Sequence, residues 1–251
     1  ARFGLMRELA NQEALRNLEK AFKNFYNLQS KSGYKLKDKK GLLKGVPNFK
    51  KKGKKDSFYL EKNIRIQNGY IKLPRIGWLK LSEKIEIDNI KNCVISRTAD
   101  QWFISIKKDV ELEKTEKIFT SVGVDLGVKT LATLSNGETF KNLKPYKNAK
   151  KKLRKQQKEV SRRFINNAKN QSNNYKKSAM KLAKIHAKVA NVRKDSIHKI
   201  TTYIAKNFET VVIEDLKITS MVRNHNLASA ILDGGFFEFK KQLMYKKEWY
   251  G

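Results

Sequence analysis

Two carboxylates at the ends of apolar runs have the type and setting to do chemistry. Asp125 stands in Val122-Gly123-Val124-Asp125-Leu126-Gly127, and Glu214 in Thr210-Val211-Val212-Ile213-Glu214-Asp215-Leu216. A carboxylate inside an apolar strand costs several kcal/mol unless it is paired or binds a metal. If the two runs are neighbouring strands of one sheet, the side chains converge at its edge and repel unless cations lie between them. Magnesium is the usual cation, and two ions about 4 Å apart can stabilise the attacking and leaving oxygens of a phosphodiester. Such sites normally use three or four carboxylates. Glu214 is preferred to Asp215 because it continues the inward alternation from Val212; Asp215 is expected to point away and cap the following turn.

The elements that must position these groups follow from periodicity. Val122–Leu134 leads into Ser135-Asn136-Gly137 and returns through Glu138-Thr139-Phe140, and an Asn-Gly pair between strand-like runs is the strongest short hairpin signal. Asp125 is therefore expected in a first, buried strand. The region 141–206 is basic and helical, with helices expected over 147–164 and 175–207 that form an antiparallel hairpin. Leu182, Ile185, Val189, Val192/Arg193, Ile197, Ile200 and Ile204 make a 3.6-residue stripe on the second helix. His186 and His198 lie near that stripe and read as satisfied or solvent-facing residues. After the strand 210–216, a polar loop is expected over 217–227. A closing helix follows over 229–250, with Phe236, Phe239, Leu243 and Trp249 among its apolar residues, and Asp233 resembles its N-cap.

Upstream, 1–30 reads as a helix whose apolar stripe is Leu15, Leu18, Phe22 and Phe25. Gln12, Arg16, Lys20 and Lys23 occupy its other faces, either as the solvated side of a core helix or as a phosphate-facing surface. The basic connector 31–55 sets Phe49 beside Lys50, Lys51 and Lys52. That pattern suits base stacking next to phosphate contacts and equally suits a mobile charged linker. From 56 to 113 short alternating runs, including Ile85-Glu86-Ile87, and the Asn68-Gly69 turn predict several antiparallel strands in a small barrel or sandwich. Cys93 reads as a core residue.

Charge narrows the partner. Lys and Arg total 56 against 24 Asp and Glu, a net charge of +32, far beyond what solubility needs. A polyanion, above all nucleic acid, is the expected partner. A membrane is disfavoured, because no apolar run approaches the roughly 20 residues of a spanning helix. The first residues lack the apolar stretch of a secretion signal, so a cytoplasmic setting is expected. The single cysteine excludes an intrachain disulfide and a multi-cysteine zinc site, and 3 histidines weigh against a histidine metal cluster.

V-G-V-D-L-G-V-K-T-L-A-T-L-S-N-G (122–137) resembles the first motif of RuvC-type nuclease domains, which have the RNase H fold, and T-V-V-I-E-D-L-K (210–217) resembles their second. More narrowly, the chain resembles the TnpB family, the transposon-encoded OrfB proteins related to compact type V CRISPR effectors. The likeness extends through L-R-N-L-E-K-A-F-K-N-F-Y (15–26), F-K-K-K-G-K-K-D-S-F (49–58), I-K-L-P-R-I-G-W-L-K (71–80), the helix 181–202 and F-F-E-F-K-K-Q-L-M-Y-K-K-E-W-Y-G (236–251).

The resemblance implies an α+β multidomain protein. A helical recognition segment (1–35) precedes a small antiparallel, wedge-like β-barrel (36–119). A RuvC/RNase H-like α/β domain with a basic helical hairpin insertion (120–251) follows. It implies an RNA-guided DNA endonuclease, monomeric and acting on nucleoid DNA. A transposon-derived guide RNA would pair with target double-stranded DNA beside a short adjacent motif, and Asp125 and Glu214 would be catalytic and hold Mg. Gln12 matches a family position near the reader of that motif. Leu60 and Glu61 stand where the family has a polar reader, so the motif read is expected to differ. Arg16, Lys20, Lys50, Lys51, Lys52, Arg154, Arg162 and Arg163 join Gln12 as expected nucleic-acid contacts. Family members continue past the position of Gly251 into a four-cysteine zinc ribbon and a third catalytic Asp. Zinc is therefore not expected within these residues, and a nuclease-inactive, RNA-guided binder or repressor is the alternative. A basic transposase acting without a guide would share the RNase H fold, so fold alone does not separate it.

Overall fold

The computed structural model describes residues 2–31, 43, 45–48, 56–61, 63–74, 76–111, 115–166 and 170–251, with backbone only for 2–12 and 31. The chain divides into two units, Ala1–Asp109 and Val110–Gly251.

In the first unit, helix α1 (Arg2–Lys31) precedes strands β1 (Ser57–Leu60), β2 (Arg65–Gln67), β3 (Tyr70–Leu73), β4 (Gly77–Lys80), β5 (Ile90–Thr98) and β6 (Gln101–Lys108). The strands make two antiparallel three-stranded sheets, β1-β5-β6 and β2-β3-β4. The expected Asn68-Gly69 turn joins β2 to β3, with both residues at positive φ (52° and 75°), as a two-residue hairpin requires. Leu60, Cys93 and Ile95 from one sheet share a single core with Ile71 and Leu73 from the other. Of the barrel and the sandwich that the strands predict, the described residues show the second, two sheets over a common core, and no closed barrel, which corrects the wedge-like barrel implied by the resemblance. Ile85-Glu86-Ile87 forms no strand: it alternates as a strand would, but no ladder partner lies beside it. The stripe of α1 is a second correction. Leu15 (65% exposed), Leu18 and Phe22 face solvent. Periodicity shows that a helix has an apolar side, not that another element covers it.

Cys93 is fully buried, and burial pushes its thiol from an ordinary 9.0 up to about 11. The native protein is therefore expected to resist thiol-reactive reagents at pH 8 and to react fully once unfolded. Because the folded value is the higher one, the associated stability, about 2–3 kcal/mol, is fully present below pH 9 and lost as pH rises through about 11. Rapid labelling of the native protein at pH 8 would contradict this burial.

The second unit contains β7 (Phe119–Leu126), β8 (Thr130–Leu134), β9 (Thr139–Lys141), α2 (Pro145–Arg163), α3 (Asn173–Asn207), β10 (Phe208–Ile213), α4 (Ile218–Met221), α5 (His225–Gly234) and α6 (Phe236–Tyr250). The sheet order is β10-β7-β8-β9. β7, β8 and β9 run antiparallel through the expected hairpins, whereas β10 returns through α2 and α3 to lie parallel to β7. Val122, Val124 and Leu126 of β7 pack with Ile197, Ile200 and Ile204 of α3 and with Phe236, Phe239 and Leu243 of α6. Each such side chain contributes about 1.5–3 kcal/mol by leaving water. The α3 stripe is realised with its centre at Val189–Ile204, while Leu182, Ile185 and Val192 are half-buried. Lys117 Nζ ties the entry to β7 to the carbonyls of Ala205 (2.9 Å) and Tyr250 (2.6 Å).

The closing region is two helices rather than one. Gly235, at φ 69°, ends α5 and starts α6. A Cβ there would stand 2.9 Å from Ile197 Cδ1, so both the backbone angle and the packing require glycine. Part of the expected polar loop is α4 and the start of α5.

Candidate active site

The parallel pairing of β10 with β7 builds the site. Val211 lies opposite Val122, Val212 opposite Gly123 and Ile213 opposite Val124. Asp125 and Glu214 are each the next residue after the last paired ones, Val124 and Ile213, so the register directs both toward the carboxyl end of the two strands. In-register residues of parallel neighbours project from the same face of a sheet, so the register, if continued, would turn both carboxylates to one face. Gly127 closes the chain immediately after Asp125: its N–H reaches Leu131 O at 3.3 Å, and an added Cβ would meet Thr130 O at 2.9 Å. Glycine is what lets the β7–β8 turn form this close to the Asp.

The face is not the expected one. α3 and α6 cover the side that carries Val122, Val124 and Leu126, against which Val211 and Ile213 also pack. Val212 is 62% exposed, and Asp125 and Glu214 are exposed with it. The alternation from Val212 to Glu214 holds, but it leads outward. No hydrogen bond or ion pair engages either carboxylate among the described residues, so both oxygen pairs are open to an external partner. Among those residues, no cluster of three or more His, Cys, Asp or Glu side chains could hold a metal ion.

Asp215 points the other way, as expected, but caps nothing. Its carboxylate takes a hydrogen bond from Lys240 Nζ at 2.6 Å, and that bond holds its pKa below the usual carboxylate range. α4 begins at Lys217 without a side-chain cap.

Asp233 is a cap, but of a distant helix. It lies inside α5, 4% exposed, and its two oxygens accept the backbone N–H groups of Tyr146 (2.9 Å) and Lys147 (3.0 Å) in the first turn of α2. Arg193 of α3 donates to the same carboxylate at 3.1 Å and to the Asp233 carbonyl at 2.9 Å. One side chain thus pins α2, α3 and α5 together. Sequence offers no signal for this, because a cap that serves a helix from far along the chain has no fixed spacing.

The expected nucleic-acid contacts separate into groups. Arg154 and Arg162 stand exposed on α2. Arg163 instead joins the α2–α3 hairpin: it pairs with Glu159 (2.7 Å) and donates to Ser178 Oγ and to Asn174 O (3.3 Å). On α1, Lys20 and Arg16 are exposed, with Arg16 3.9 Å from Glu13 and 3.8 Å from Glu61, long separations that leave its charge available. The Gln12 side chain and Lys50, Lys51 and Lys52 lie outside the described residues. His198 is half-buried on α3, and burial together with Lys246 lowers its pKa. That setting matches the structural role expected of it.

Residues 103–225 match the family OrfB_IS605, described as "Probable transposase". The chain is 32% identical over 259 residues to "Putative RNA-guided DNA endonuclease InsQ" of Escherichia coli (strain K12), covering 96% of this chain and 60% of that protein. It is 33% identical over 250 residues to "Putative RNA-guided DNA endonuclease" of Streptomyces pristinaespiralis, covering 96% and 57%. It is also 26% identical over 240 residues to "Putative RNA-guided DNA endonuclease Rv2885c" of Mycobacterium tuberculosis (strain ATCC 25618 / H37Rv), covering 84% and 51%. The chain spans between half and three-fifths of the length of these relatives. Residues 103–225 are thus similar to the OrfB_IS605 family, and nearly the whole chain is similar to proteins named as putative RNA-guided DNA endonucleases.

Proposed function

We propose that the protein is a transposon-associated, RNA-guided DNA endonuclease of the RuvC type. The observation that supports this reading is the parallel β7–β10 register, which runs to Val124 and Ile213, the residues just before Asp125 and Glu214. A sheet with three antiparallel strands and a parallel fourth supports the RNase H-like assignment for 120–251. The names of the relatives support guide RNA and DNA as partners.

Two neighbouring carboxylates with open oxygens fit a hard, oxygen-seeking cation, and Asp125 and Glu214 are the residues that would hold Mg. When bound, such ions polarise a phosphodiester and supply an activated water. The protein's own contribution is to hold the two carboxylates on rigid parallel strands. Exposed Arg154 and Arg162 of α2 and the lysines of α3 would grip phosphates without reading sequence. A surface indifferent to sequence suits an A-form guide–target heteroduplex, which is recognised by its shape and backbone. In this reading 1–35 and 36–119 are the recognition and wedge-like segments. A monomer on the cytoplasmic nucleoid is the working state. Among the described residues no helix is long and apolar enough to cross a membrane.

A second reading, an RNA-guided binder that does not cut, rests on the pair of carboxylates standing without a third among the described residues. One experiment separates the two. The natural full-length protein is expected to co-purify with a structured RNA of defined sequence and, with Mg, to cut duplex DNA complementary to it. Guided binding without cutting would favour the second reading. Absence of a defined RNA would sink both. Under either reading, log affinity for DNA is expected to fall linearly with log salt, by about 0.9 per phosphate neutralised.

A further inference from the structure

We infer that Lys144, Lys147 and Lys150 form a seat for a backbone phosphate of the DNA strand being cut, beside the carboxylate pair. The inference rests on the endonuclease reading and names a positioning element for it. These lysines line a cavity of about 270 Å³ together with Val128, Asn226 and Ser229. Val128 lies in the turn that begins after Asp125, and β10 runs parallel to β7. The cavity therefore lies toward the carboxyl end of β7, the end that carries Asp125.

Lys147 and Lys150, three apart in the first turns of α2, lie on one side of the helix, and Lys144 stands at its N-cap. None of their ammonium groups meets a carboxylate among the described residues. The one acid in the cavity wall, Asp233, has its oxygens taken by the backbone of Tyr146 and Lys147 and by Arg193. It makes no ion pair with the lysines, and Arg193 offsets its charge.

The wall is built rather than incidental. Asn142 Nδ2 donates to Val128 O at 3.1 Å, and Asn142 Oδ1 accepts from Lys144 N at 3.1 Å. This fixes Lys144 in a left-handed backbone conformation, φ 48°. Such a conformation is rare for a residue with a side chain, and here it sets the lysine at the cavity mouth. Three cations unneutralised among the described residues, around one small cavity, are the chemistry of a phosphate seat. Side-chain amide and hydroxyl groups from Asn226 and Ser229 add neutral donors. The strand to be cut must hold one phosphate at the carboxylates, and a neighbouring phosphate would fall into this cavity.

The test uses the natural full-length, guide-loaded protein with Lys144→Gln, Lys147→Gln and Lys150→Gln combined. Single-turnover cleavage is expected to slow about 10- to 100-fold, the cost of a misplaced reacting group. Guide and target affinities and the thermal midpoint should be unchanged. The salt dependence of the cleavage rate should become shallower by about 0.7 for each phosphate no longer neutralised. Changing the same positions to Arg should restore the rate. Unchanged cleavage in the Gln variant overturns the inference, and so does loss of guide RNA affinity, which would assign the seat to the guide. Failure of the unsubstituted protein to cut would refute the endonuclease reading instead.

Discussion

Asp125→Ala is expected to reduce target cleavage about 1000-fold or more while leaving guide and target binding intact. The size follows from what a carboxylate-held ion supplies: several kcal/mol of charge stabilisation, at a factor of ten per 1.36 kcal/mol. The separation of cutting from binding follows from the structure. Asp125 is exposed, makes no side-chain bond among the described residues and lies on the face opposite the core of Val122, Val124 and Leu126. Removing it opens no cavity and strands no buried partner, so the melting temperature should not move. Glu214→Gln should behave alike, and the double variant should be little worse than either single one, as expected for residues that act as a unit. A chelator should stop cleavage without unfolding the protein. Loss of binding or stability in Asp125→Ala would make the residue structural. Undiminished cutting would remove it from the site.

Asp233→Ala is expected to cost about 3–5 kcal/mol of stability in the second unit. The loss of a helix cap accounts for about 1 kcal/mol. The larger share comes from leaving two backbone N–H groups of α2 and one face of the Arg193 guanidinium without their buried acceptor. The Arg193 bond to the Asp233 carbonyl survives the change, which keeps the loss near the lower end. Urea unfolding should show a lower midpoint with an unchanged slope. Asp233→Asn, which keeps one acceptor oxygen, should fall between. A loss below about 1 kcal/mol in the alanine variant would mean that the three-helix junction is held elsewhere.

Much of the framework around the candidate site is legible in the order of the residues alone. The two apolar runs that end at Asp125 and Glu214 predict strands, and β7 and β10 are those strands, paired in parallel. The Asn-Gly turns, the α3 stripe from Val189 to Ile204 and the antiparallel strands around Cys93 are equally readable. Each depends on neighbours a few residues apart, whose spacing along the chain sets their relative direction. The pull toward a polyanion likewise needs only a count of charges.

Other features depend on segments far apart in sequence meeting in space. Periodicity marks Asp125 as alternating with valines, but only the packing of α3 and α6 settles which side is covered and leaves the carboxylates open. The same applies to α1, where Leu15, Leu18 and Phe22 of the apolar stripe are exposed. It applies to the strands of the first unit, which make two sheets over one core instead of a barrel. Asp233 is the sharpest case: its type announces a cap, and the fold chooses α2 as the helix. A sequence by itself determines the phase of each element, because phase is local. Which phases are buried, paired or left to bind a partner is decided by tertiary packing, since burial belongs to pairs of surfaces and not to either one alone.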